Sequence, residues 1–164
     1  MLHAPLIDGF DFARSGARLS GSRQVKDFPR LREELYGSDG TLHYALQGLA
    51  QEQGRPALRL SVEGTLQLTC QRCLGPLDFA LRSDALLLLY GDEAELAALV
   101  LDPEGPESIV AEREMPVLDL VEDEVLLAIP IAPRHEQCRS REGDAPVAQQ
   151  RPFAGLRALM GGKR

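Results

Sequence analysis

Three cysteines and one histidine carry the most distinctive chemistry in this sequence. Cys70 and Cys73 flank two residues in TCQRCLGP (69–76), and His135 and Cys138 repeat that spacing in HEQC (135–138). A CxxC pair can be a redox dithiol, half of a metal site, or neither. Joined to HxxC it completes a Cys₃His set, the soft donor set that structural zinc takes in tetrahedral geometry. The set uses all 3 cysteines of the chain. Four protein donors leave no coordination position for a substrate, so the zinc expected here is structural rather than catalytic. The two halves lie far apart in sequence, so the tertiary fold has to unite them. Three reduced thiols beside a surface histidine are the alternative.

The elements that must position these residues follow from hydrophobic periodicity. Leu58, Leu60, Val62, Leu66 and Leu68 alternate with Arg59, Ser61, Glu63, Gln67 and Thr69, a half-buried strand over 57–70 with Gly64 as a candidate bulge. Leu42, Tyr44 and Leu46 mark a strand over 41–47, and Leu77, Phe79 and Leu81 open another that runs to Tyr90. Cys70 thus ends a strand, and Gly75-Pro76 turns the chain into the next one. A redox CxxC is expected at a helix N-terminus, which lowers the thiol pKa, and none follows here. The pair reads instead as a hairpin tip.

Weak helical patterning covers 10–18 and 27–36, the second with Asp27 as N-cap, Pro29 in the first turn and Gly37 as stop. A short acidic helix over 91–99, a turn-rich loop at 102–107 and a strand near 108–111 precede MPVLDLVEDEVLLAIP (115–130). There Leu118, Val121, Val125 and Ala128 share one helical face, with Glu122, Asp123 and Glu124 mostly on another. The predicted fold class is α+β, a mostly antiparallel β-sheet with a few short helices. Residues 1–138 read as a single domain, and 139–164 as a flexible polar linker followed by a short basic C-terminal helix.

Composition narrows the function classes. With 44% hydrophobic and 26% charged residues, no Trp and a net charge of −7, the chain reads as an ordinary globular protein whose core rests on Leu, Val and Ala. No basic run followed by an apolar stretch opens the sequence, and ALLLLY (85–90) is too short to span a bilayer. A reducing cytoplasm is expected, with no membrane association. The acid is concentrated in 37–133, whereas 134–164 is basic in balance. Such a chain can face basic proteins with one surface and phosphates with another, or its acidity can serve solubility alone. GxGxxG, GxxxxGK[ST] and GxSxG are absent. Asp119, Glu122, Asp123 and Glu124 could hold Mg²⁺ through carboxylate oxygens; a solvated helix face is the simpler reading.

LTCQRCLGPLDF (68–79), DLVEDEVLLAIPIAPRHEQC (119–138) and RPFAGLRALM (151–160) together resemble the YceD family, also called large ribosomal RNA subunit accumulation proteins. The resemblance implies a non-enzymatic role in producing or maintaining large-subunit ribosomal RNA. The implied partners are a large-subunit ribosomal protein, ribosomal RNA, or both, with no small-molecule substrate. Candidate interaction residues are Arg72, Asp119, Glu122, Asp123, Glu124, Arg134, Arg151 and Phe153. Two other readings stand beside it: a structural-zinc interaction module unrelated to ribosomes, and a thiol or carboxylate enzyme.

Overall fold

The computed structural model describes residues 5–99 and 105–138. In chain order they form β1 (Leu6–Ile7), α1 (Gly9–Arg14), β2 (Arg18–Gln24), a 3₁₀ turn (Val25–Asp27), α2 (Pro29–Glu34), β3 (Thr41–Glu52), β4 (Arg55–Thr69), β5 (Pro76–Tyr90), α3 (Glu93–Ala97), β6 (Glu107–Val110), β7 (Met115–Pro116) and α4 (Val117–Ala128). The class is α+β. Strands β2 to β6 make one five-stranded sheet in sequential order, antiparallel throughout except for the parallel β5–β6 pair at one edge. Strands β1 and β7 pair separately and tie the start of the described chain to the segment before α4. No helix among the described residues is long and apolar enough to cross a membrane.

The alternation in β3 and β4 puts Leu42, Leu46, Leu58, Leu60, Val62, Leu66 and Leu68 on one face, all nearly or wholly buried. Val25, Phe28 and Leu31 pack on that face from the α2 region, and Val117, Val121 and Val125 from α4. Each such side chain withdrawn from water contributes about 1.5–3 kcal/mol before entropy opposes it. On the other face α3 covers one end through Ala57, Leu88 and Tyr90. The rest presents Ser20, Ser22, His43, Ala45, Arg59, Glu63, Arg82 and Asp84 to solvent.

The two central hairpins differ in how they turn. Gln53 and Gly54 both carry positive φ, 50° and 84°, the two-residue turn whose twist matches that of the strands it joins. The β4–β5 turn is longer and carries the cysteines. Gly64 is no bulge: the register runs unbroken from Leu42 through Gly64 to Leu81. The irregularity lies instead between Leu49 and Glu52. Glycine stands at 64 because a Cβ there would lie 2.7 Å from the Thr41 carbonyl oxygen and 2.8 Å from Leu42 Cδ2.

Three local expectations change. The helical pattern over 10–18 is confined to α1, and β2 follows at once. Its inward positions are Leu19, Gly21 and Arg23, so no apolar alternation marks this edge strand. Asp27 does not cap α2 but lies in the preceding 3₁₀ turn, and Phe28 occupies the N-cap without a side-chain bond. On α4, Glu122 and Glu124 are 4% and 8% exposed, not solvated, because α2 and the sheet flank this helix on two sides. The proposed linker and terminal helix over 139–164 lie outside the described residues.

Candidate metal centre

The β4–β5 hairpin ends in a tight knuckle. The Cys70 N–H donates to the Gly75 carbonyl and the Leu74 N–H to the Cys70 carbonyl, each at 2.9 Å. Leu74 takes φ = 58°, a left-handed conformation that costs a non-glycine residue on the order of 1–2 kcal/mol. This turn leaves backbone amides facing sulfur. The Cys70 thiol is pulled down to about 5, first by the Cys73 amide, with burial opposing and the amides of His135 and Arg72 assisting.

The second pair arrives from beyond α4. Pro130 has no N–H to continue the helix, which closes on the Ile129 N–H bond to the Val125 carbonyl. The chain then docks on the knuckle: the Gln71 N–H donates to the Pro133 carbonyl at 2.8 Å, and Arg72 Nη2 donates to the His135 carbonyl at 3.2 Å. These contacts place Cys70 Sγ 3.6 Å from Cys138 Sγ. His135 Nδ1 lies 3.4 Å from Cys73 Sγ and 3.7 Å from Cys138 Sγ. All four donor atoms fall within 4.8 Å of one another.

The three short separations match the edges of a tetrahedral site. Bonds of about 2.3 Å to sulfur and 2.0–2.1 Å to nitrogen give tetrahedron edges of about 3.8 Å between sulfurs and about 3.5 Å between sulfur and nitrogen. A disulfide would need sulfurs about 2.05 Å apart, and all three cysteines are free. The histidine is oriented as a ligand too. Its Nε2 lies 2.9 Å from the Pro76 carbonyl oxygen, which can only accept, so Nε2 holds the proton and the Nδ1 lone pair faces the sulfurs.

Without a cation these crowded donors share protons among themselves. Cys138 is lowered, first by the Arg72 guanidinium. His135 is raised, first by the Cys138 sulfur. Cys73 is raised: the Gly75 amide favours its thiolate, but burial and the sulfurs of Cys70 and Cys138 outweigh it. Crowded sulfurs resist full ionisation until a divalent cation sits among them. Cys70 is wholly buried while Cys73, His135 and Cys138 are half-buried, which suits a closed structural centre.

The other sequence candidates divide. Arg72 lies in the knuckle and braces the centre through the His135 carbonyl. Arg134 is exposed beside it. Asp119 is exposed on α4, and exposed Asp123 bonds Arg30 at 2.6 Å. Glu122 Oε2 accepts from Arg30 Nε at 3.0 Å, and its Oε1 from the Leu31 N–H at 2.9 Å. Glu124 accepts from the Ser83 hydroxyl. The four α4 carboxylates therefore do not converge: two are internal brackets, and they form no acidic metal site. Arg151 and Phe153 lie outside the described residues. Sequence reasoning missed Pro76 and Pro133, whose roles are those of backbone carbonyls that any residue type would supply.

The family model described as "Large ribosomal RNA subunit accumulation protein YceD" matches residues 58–160, well over half of the chain. The matched span begins within β4 and includes both halves of the Cys70, Cys73, His135 and Cys138 cluster. No solved structure matches the chain.

Proposed function

The chain belongs to the YceD family, and from that premise we propose that it is a non-enzymatic assembly factor for the large ribosomal subunit, acting in the cytoplasm. In this reading it sustains large-subunit ribosomal RNA by binding a ribosomal protein, the RNA, or both. The observation that carries the reading is the family match across both halves of the Cys70, Cys73, His135 and Cys138 cluster, whose four donor atoms lie within 4.8 Å of one another. Cys70, Cys73, His135 and Cys138 would hold one zinc ion, which supplies no reaction step and serves to fix the knuckle against the segment after α4. With all four positions taken by protein, a substrate has nowhere to bind the metal, which favours a binding role over a thiol or metal enzyme. Arg72 and Arg134 are proposed contacts beside this centre, as are Asp119 and Asp123 on α4 and Arg151 and Phe153 in the C-terminal segment. For Glu122 and Glu124 the proposed part is indirect, through the position of α4.

Deletion of the gene should lower large-subunit ribosomal RNA relative to small-subunit RNA, and the purified protein should co-sediment with large-subunit precursors. Normal RNA levels together with no ribosomal association would sink the reading.

A further inference from the structure

The centre draws its sulfurs from the two sides of a joint. Cys70 belongs to the β4–β5 knuckle and Cys138 to the segment after α4, yet their Sγ atoms lie 3.6 Å apart. Neither residue sits in a helix or strand that would fix it. The bonds from Gln71 to the Pro133 carbonyl and from Arg72 to the His135 carbonyl hold the two sides together without using sulfur. A movement of about 1.5 Å would bring the pair to the bond length of a disulfide, about 2.05 Å. The three sulfurs are not equally reachable. Cys70 is wholly buried, whereas Cys73 and Cys138 are half-buried. Cys138 also has the Arg72 guanidinium beside it, a positive charge that steadies an oxygen anion leaving as the sulfur attacks a peroxide.

We propose that Cys138 is an oxidation site for hydrogen peroxide and Cys70 its resolving partner, their disulfide displacing the zinc while the joint stays closed. The Cys138 thiolate attacks one peroxide oxygen, the O–O bond breaks, and the other oxygen leaves as hydroxide, giving a sulfenic acid. The Cys70 thiolate then attacks the Cys138 sulfur, forming the S–S bond and expelling a second hydroxide. Protons convert both hydroxides to water. The two sulfurs have lost two electrons between them, and the peroxide has gained them. Cys73 and His135 remain as two donors where a closed zinc site needs four, so the ion leaves. Cys73 stays a thiol. Exchange with small thiols of a reducing compartment reverses the bond, which makes the change transient. This inference rests on the zinc reading of the centre and adds a regulation of it.

The sequence makes the product easy to read. Arg72 stands between the knuckle cysteines, so trypsin places Cys70 in peptide 60–72, Cys73 in 73–82 and Cys138 in 135–139. Full-length, zinc-loaded protein is treated with hydrogen peroxide, its remaining thiols are alkylated, and released zinc is followed with an indicator dye. The expected result is zinc release in step with a link between peptides 60–72 and 135–139 and an alkylated Cys73. Dithiothreitol and added zinc should reverse it. Dimedone present during oxidation should trap the sulfenic acid on Cys138 alone. The oxidised, zinc-free protein should melt above the reduced, zinc-free one, because the disulfide keeps the joint closed. A Cys70–Cys73 link, a disulfide between two copies, sulfinic acid alone, dimedone on Cys70 or Cys73, or zinc that stays bound would overturn the proposal. So would an oxidised form that melts no higher than the reduced one. Each of these outcomes leaves the zinc centre standing, whereas protein that binds no zinc removes the centre and the proposal together.

Discussion

Glu122 accepts the backbone N–H of Leu31 at 2.9 Å, so a carboxylate on α4 caps a helix 91 positions earlier in the chain. Phe28, at the N-cap of α2, has no side-chain acceptor to offer. The negative charge also suits the positive end of that helix. Removing it by Glu122→Ala leaves a buried N–H unsatisfied and should cost about 1–3 kcal/mol. Arg30→Ala should cost less, because the Arg30 side chain is 52% exposed and solvent screens its pair. Urea unfolding of both variants tests the order; an equal or larger loss for Arg30→Ala would contradict it.

Metal analysis of protein purified without chelator should return about one zinc per chain. Cys73→Ser should lose the metal and melt at lower temperature. A metal-free wild type whose melting point is unmoved by this substitution would reject the centre.

The bond from His135 Nε2 to the Pro76 carbonyl assigns the ring nitrogens. In the zinc-loaded protein, nitrogen-detected NMR should find the proton on Nε2 and the metal shift on Nδ1. His135→Cys should keep the metal, with cobalt substitution giving the absorption of a four-thiolate site. Protonated Nδ1 would contradict the geometry.

Acid should release the metal, because protons compete for the same thiolates. For Cys70, lowered from 9.0 to about 5, the sign is that of a depressed group. Its thiolate contributes stability in full above the unfolded thiol pKa, and loses that contribution as pH falls through about 5. Zinc release followed with an indicator dye should therefore rise as pH falls, accompanied by a lower melting temperature. Release that increases with pH between 5 and 8 would be the wrong sign.

Gly64→Ala forces a methyl group against the Thr41 carbonyl and Leu42. Overpacking of that kind costs about 1–3 kcal/mol. If Gly64 were only a flexible bulge, the substitution would be near neutral, so denaturant midpoints separate the two accounts.

Much of this fold was legible where burial is one-sided. Leu58 to Leu68 alternate cleanly because β4 is central, with one face on the helices and the other in solvent over most of its length. β2 escaped the same logic, since an edge strand with Leu19, Gly21 and Arg23 facing inward shows no apolar rhythm. The Cys70, Cys73, His135 and Cys138 cluster was legible because cysteine and histidine at matched spacing are rare. Their bracing was not: the Pro76 and Pro133 carbonyls are backbone groups, and no side chain announces them. The α4 acids misled for a related reason. Whether a glutamate meets water or the amide of another helix depends on what packs beside it, and that packing is a property of the tertiary fold.

Cys73 and His135 stand 62 positions apart, and a ribosome makes protein from one end. At about 5–20 residues per second, the knuckle exists for roughly 3–12 s before its histidine has been translated. During that interval Cys70 and Cys73 can offer a cation only two thiolates. A full grip comes when β5, β6 and α4 have been made and packed, so a firmly held ion would report that synthesis of this domain has run to Cys138.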